Sequence, residues 1–203
     1  MSTIPRLDES LAPRSLILDP PMSDDELERF CARNEDLQIE RTSEGVIRMN
    51  PPTGALTGHG NSEINRQLGN WWDRHRRGRI FDSSSGFFLA DGSLLSPDAA
   101  YVLPEQLKGM TKEDLAHMPH LCPAFVVELL SPTDILTEAE KKMELWIANG
   151  TQLGWLIDPY RQCVLVYRPE SGQLSIKTST VEGSGPVEGF VLDLVRVWRC
   201  YEV

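Results

Sequence analysis

The sequence has no apolar run near the roughly 18 residues that a membrane-spanning helix needs, so a helical transmembrane span is excluded. Its first residues, Met1-Ser2-Thr3-Ile4-Pro5-Arg6-Leu7-Asp8-Glu9, show no basic segment leading into a continuous apolar stretch. No secretory signal is read there, and a cytoplasmic location is expected. Cysteine is scarce. Cys31, Cys122, Cys163 and Cys200 are widely separated and form no Cys-x-x-Cys pair, which reads as reduced thiols used in packing rather than a disulfide framework. His117-x-x-His120-x-Cys122 lacks a fourth ligand at regular spacing, which weighs against zinc. There is no Gly-x-Ser-x-Gly elbow, and Gly183-Ser184-Gly185-Pro186 lacks the Lys-Ser/Thr of a phosphate loop, so both chemistries are set aside. Positive charge is also in short supply, with 20 Lys and Arg against 30 Asp and Glu and a formal net charge of −10. That balance opposes non-specific attraction to a polyanion, so nucleic-acid contact requires a local basic surface or a bound metal.

What is present describes an ordinary globular chain. Its 203 residues, 40% hydrophobic and 25% charged, fit one domain with a real core. Residues 1–21 are proline-rich and without period, and are expected to be a flexible N-terminal arm, with a single domain over 22–203. Ser23-Asp24-Asp25-Glu26 has capping-box spacing and predicts a helix from Ser23 to Arg33. Leu37-Gln38-Ile39-Glu40 and Val46-Ile47-Arg48-Met49 alternate around Ser43-Glu44-Gly45, which predicts a hairpin with one solvated face. Ile64, Leu68, Trp71, Trp72 and His75 share a stripe of a long helix over Thr57 to Arg77, ended by Gly78. Extended pieces follow over 79–82, 86–90 and 98–103, then a small helix over Lys112 to His117. Ala124 to Leu130 is almost wholly apolar, the pattern of a central strand covered on both faces. A helix over Asp134 to Asn149 stops at Gly150, and 153–157 with 163–167 form a second hairpin.

Glu128 is the most informative residue, because Ala124-Phe125-Val126-Val127 precede it and Leu129-Leu130 follow it. A carboxylate among such neighbours needs a cation or metal, or it takes up a proton; the plainer alternative is a structural ion pair. Asp98 follows Pro97 and opens the stretch Ala99-Ala100-Tyr101-Val102-Leu103, where a Pro-Asp turn is the plain reading. Two carboxylates converging at one end of a sheet would make the hard-oxygen cradle that suits Mg2+ or Mn2+. On the following helix Lys142 borders the stripe of Ile135, Ala139, Met143 and Trp146, whereas Lys141 points away with Glu140 and Glu144. Its ammonium either snorkels to water or is aimed at Glu128, where it could orient a water or offset phosphate charge. Arg74-His75-Arg76-Arg77-Gly78-Arg79 is the one dense basic run, readable either as a nucleic-acid surface or as a solvated helix end.

Taken as a set, these residues resemble the PD-(D/E)XK nuclease superfamily and, within it, the Uma-two-type restriction endonucleases. The matching pieces are Ser96-Pro97-Asp98, Val126 to Asp134, Lys142-Met143-Glu144-Leu145-Trp146 through Asn149-Gly150, and Leu153 to Pro159, in order from about Pro21 to Trp198. The resemblance implies an α/β (α+β) fold with a restriction-endonuclease-like core, a mixed central sheet flanked by helices. It also implies metal-dependent hydrolysis of nucleic acid, most often DNA, with Asp98 and Glu128 as metal ligands. Leu130 stands where the superfamily places lysine, and Lys142 is the matching candidate from the following helix. Glu63 matches an acidic position that the superfamily often adds from an early helix. A homodimer is the default for such an architecture, and Trp198 and Tyr201 are read as exposed aromatics available for it. The competing class is a catalytically silent nuclease-fold module that binds nucleic acid or a partner protein.

Overall fold

The computed structural model describes residues 14–202. The chain opens with β1 (Arg14–Leu16), α1 (Asp24–Ala32) and the hairpin of β2 (Gln38–Arg41) and β3 (Ile47–Asn50). The long α2 (Ala55–His75) is followed by β4 (Arg79–Asp82), β5 (Phe87–Phe88), β6 (Leu94–Leu95), β7 (Ala99–Val102) and β8 (Phe125–Leu129). Then come α3 (Leu136–Ala148), β9 (Leu153–Asp158), β10 (Cys163–Arg168), β11 (Gly172–Ile176), β12 (Thr180–Glu182), β13 (Val191–Asp193) and α4 (Leu194–Arg199). Six strands make the main sheet in the order β11-β10-β9-β8-β7-β4, and five make a second sheet in the order β1-β3-β2-β6-β5.

The main sheet is mixed because β8 and β9 are parallel while its other pairs are antiparallel. Parallel neighbours cannot be joined by a tight turn, and α3 supplies the crossover between them. Side chains alternate across a strand, so β8 divides its residues between two cores. Phe125, Val127 and Leu129 face Ile64, Leu68 and Trp71 of α2 together with Leu194, Val197 and Trp198 of α4. Val126 and Leu130 face Met143 and Trp146 of α3. The apolar run read as a central strand is therefore covered on both faces, as its composition predicts.

Helix α1 carries the full capping box: the Ser23 hydroxyl accepts from the Glu26 N–H, and the Glu26 carboxylate accepts from the Ser23 N–H at 2.9 Å. Its inner residue Leu27 joins Ile39, Ile47, Phe88 and Leu94 in a third core on the second sheet. Helix α2 stops where Arg76 turns left-handed at φ 48°, and Gly78 follows at φ +62°; a Cβ there would strike the Val102 carbonyl. Only glycine fits that turn into β4.

The fold departs from several expectations. Residues 14–16 pair with β3 and Leu16 packs on the third core, so the N-terminal arm does not extend to residue 21; its residues 1–13 lie outside the described residues. The hairpin's polar side is not wholly solvated, because Glu40 is buried there while Arg48 opposite it stays partly exposed, and Arg41 is buried on the other face with Ile39. Residues 112–116 form turns rather than a helix. Ile135 is exposed at the N-cap of α3 instead of lying on its inner stripe.

Candidate active site

The last strand pair before α3 sets the site. Ala99 pairs with Val127 in the antiparallel register of β7 and β8, so one residue further along Asp98 falls opposite Glu128. The two carboxylates named from the sequence thus sit across from one another at one end of adjacent strands. They turn to different helices. Glu128 is 8% exposed and meets α3, where its Oε1 accepts from Trp146 Nε1 at 2.9 Å and lies 2.9 Å from Lys142 Nζ. Asp98 meets α2, where its Oδ1 accepts from the Asn61 side-chain amide at 2.6 Å. Its Oδ2 accepts from the Leu129 N–H at 2.7 Å, and its own carbonyl accepts from Asn65.

Lys142 is turned inward and Lys141 outward, as the helical wheel predicts, and Lys141 pairs with Glu138 at the surface. The Lys142 ammonium has three protons and three kinds of acceptor: Glu128, Glu40 at 2.8 Å and the Ser96 carbonyl at 2.9 Å. Glu40 comes from β2 of the second sheet, and its Oε1 also accepts from the Ser96 N–H at 3.0 Å. The hairpin and the Ser96-Pro97-Asp98 segment are therefore fastened to the same lysine.

Burial is the largest influence on Glu128 and pushes its carboxyl up to about 8; the Lys142 charge opposes this, and the charges of Asp98 and Glu40 reinforce it. Asp98 keeps part of its surface accessible, yet it lies deep enough among protein atoms for burial to raise its pKa as well. The Leu129 N–H, the Lys142 charge and the Asn61 amide pull it the other way. Desolvation works against the Lys142 charge, but Glu128 and Glu40 outweigh it and the ammonium is held protonated. The cluster carries an excess of negative charge, because Glu128 and Glu40 both contact one ammonium and Asp98 lies near enough to add its charge. Such a cluster takes up a proton or a cation. Among the described residues no three His, Cys, Asp or Glu side chains are gathered as a ready-made metal cage.

Glu63 is not brought to this cluster. It lies two residues beyond Asn61, about 200° around the helix. There its carboxylate accepts from Arg66, Gln67 and Arg196 and is held down to about 2, first by the Arg66 hydrogen bonds. The basic run is also remote, since Arg76 follows Asn61 by fifteen residues, or about 22 Å along the helix axis. Arg74 and Arg77 are exposed at that far end. His117 pairs with Glu28, His120 stacks on Phe88, and Cys122 turns to Thr151, so those three form no common site. Asn61, Glu40 and Trp146 went unnamed as site residues. Asn61 left a signal, because it shares the inner stripe of Ile64 and Leu68. Glu40 left none beyond its place in an alternating hairpin, which pointed it to solvent.

Residues 24–194 match the model of the Uma2 family, described as "Putative restriction endonuclease". No curated protein matches the chain significantly. Among solved structures, the crystal structure of "a putative nuclease belonging to DUF820 from Anabaena variabilis ATCC 29413" superposes with a TM-score of 0.72. It is 22% identical, and the match covers 89% of this chain and 99% of that one. At that identity the likeness establishes the fold.

Proposed function

The chain belongs to the Uma2 family, and on that premise we propose that it is a divalent-metal-dependent endonuclease that cuts the phosphodiester backbone of nucleic acid, DNA being the expected substrate. The observation that carries this reading is the placement of Asp98 opposite Glu128 at the end of adjacent strands, in a cluster with more negative charge than Lys142 balances. Magnesium and manganese fit such residues, because they take oxygen ligands, often one or two protein carboxylates with water completing the shell. A buried acceptor without a partner, Asn61 Oδ1, stands beside Asp98 and suits a hydrated cation.

Asp98 and Glu128 would hold the ion, which when bound polarises a phosphoryl oxygen, acidifies a water and steadies the leaving oxygen. The protein's own part is orientation. The Leu129 N–H and the Asn61 amide fix the plane of the Asp98 carboxylate, and Trp146 fixes one oxygen of Glu128. Lys142 brings the cation that Leu130 does not supply from the strand. By exchanging one of its acceptors for a water or a phosphate oxygen, its ammonium would position the nucleophile or offset charge on the scissile group.

One observation favours a second reading, a nuclease-fold module without catalysis. Every proton of Lys142 is already taken by protein acceptors. Incubation of plasmid and single-stranded DNA with Mg2+ or Mn2+ separates the two. The nuclease reading expects cleavage that chelator abolishes and that Asp98→Asn and Glu128→Gln each remove while the circular dichroism spectrum is retained. Cleavage surviving in Asp98→Asn contradicts the metal role. Intact DNA, with no rise in melting temperature on adding either ion, supports the silent module.

A further inference from the structure

Among the described residues, five buried side-chain polar atoms lack a hydrogen-bond partner, and three of them gather on the α2 side of the site: Thr57 Oγ1, Asn61 Oδ1 and Tyr201 Oη. Thr57 is 3% and Asn61 9% exposed. They stand one turn apart on the inner face of α2, so both look toward the same space. Gly60, between them, brings the third atom in. A Cβ there would come within 2.8 Å of both Tyr201 Oη and Leu129 Cδ2. The missing side chain lets the phenol lie against the helix beside Leu129, whose N–H holds Asp98. Burial raises the pKa of the Tyr201 and Tyr160 phenols, and the nearby Thr57 hydroxyl only partly opposes it, because it makes a well-formed hydrogen bond with neither.

Buried polar atoms without partners are rare because each loses its hydration and gains nothing. Valine and phenylalanine have nearly the shapes of threonine and tyrosine and would avoid that loss, so packing does not explain the two hydroxyls. Their neighbours narrow the chemistry of an occupant. The carboxylate of Asp98 and the free carbonyl oxygen of Asn61 repel a phosphate oxygen, and both attract donors. Water molecules carried by a cation are donors, and they can also accept from the two hydroxyls.

Resting on the metal reading above, we propose that Thr57, Asn61 and Tyr201 line a pocket for the water shell of a divalent cation held by Asp98. Helix α2 and the turn after α4 then complete the metal site through neutral groups, in the place where Glu63 is not available. These are positioning residues, acting on the ion's waters and through them on its orientation.

The test uses the full chain with Thr57→Val and Tyr201→Phe, singly and together, each removing one oxygen with little change of shape. Two quantities are measured: Mn2+ affinity by calorimetric titration, and the melting temperature without metal. The expected result is a metal-free melting temperature equal to or above wild type, with Mn2+ affinity lowered about tenfold in the double variant, as for loss of groups that orient a metal's immediate ligands. Unchanged Mn2+ affinity in the double variant overturns the proposal and leaves the metal reading standing. A metal-free double variant that melts well below wild type also overturns it, because the hydroxyls are then structural. A wild-type protein that binds no Mn2+ removes the metal reading itself, and the proposal with it.

Discussion

Glu128 binds its proton more tightly in the folded chain than in an unfolded one, its carboxyl standing near 8 against an ordinary 4.5. A group raised in this way contributes stability that is fully present below about pH 4.5 and is lost as pH climbs through 8. Metal-free wild-type protein should therefore melt progressively lower between pH 5 and pH 8, and Glu128→Gln should flatten that decline. Thermal melts across the window check it, and equal slopes in the two proteins would contradict the assignment. Divalent cations compete with the same proton, so Mn2+ affinity should rise over the same interval. Lys142→Met removes the one cation from the cluster. Breaking a buried ion pair costs about 3–5 kcal/mol, and the lysine retains 21% side-chain exposure, so about 3 kcal/mol is expected. Denaturant unfolding at pH 8 measures this loss, and it should shrink at pH 5, where Glu128 is protonated. At this scale the sequence was informative where a residue broke its local pattern. Glu128 among apolar neighbours and Lys142 at the edge of a helical stripe were both legible. Glu40 was not, because a charged residue in an alternating strand is the commonest solvated pattern, and only tertiary packing of the second sheet against α3 buries it.

Among the elements, long periodic segments were read well and short ones were not. Helix α2, strand β8 and both hairpins follow from spacing, because many residues repeat the same signal. Strand β6 has two residues and no alternation to display, β12 and β13 have three each, and β11, though it pairs with the adjacent β10, is largely exposed and so carries no apolar period. The N-terminal strand β1 was hidden for the same reason: three residues carry no period, and β3 offers them an edge. Trp198 and Tyr201, read as exposed aromatics for self-association, turn inward instead, Trp198 into the core beneath α4 and Tyr201 against Gly60. Helix α1 gives a clean control for the site, since it packs on the second sheet. Ser23→Ala should cost about 1 kcal/mol of stability through its lost cap, lowering the melting temperature by about 2–4 °C. Mn2+ affinity should be unchanged, and a large loss of metal binding in Ser23→Ala would show that α1 sets the site through the second sheet and is no control.

Over the whole molecule, the proposed function requires an acidic chain with net charge −10 to hold a polyanion. The exposed basic run at the end of α2 is about 22 Å from Asn61, too far to line the cluster, and under the proposed function its expected role is to meet backbone phosphates away from the cut. Replacing Arg74, Arg76 and Arg77 together by Ala should leave Mn2+ affinity unchanged. It should weaken DNA binding and reduce its salt dependence by up to about three charges' worth of slope. Fluorescence titration of labelled DNA at several salt concentrations measures this, and an unaltered slope would assign the run to the solvated end of a helix.

Manganese scatters anomalously, so diffraction from crystals grown with Mn2+ tests the pairing of Asp98 with Glu128 most directly. The account predicts one strong anomalous peak within coordination reach of both carboxylates, with water filling the side toward Asn61, and loss of that peak in Asp98→Asn. Crystals that show no manganese between the two strands, with Lys142 still seated on Glu128 and Glu40 at saturating ion, would contradict it.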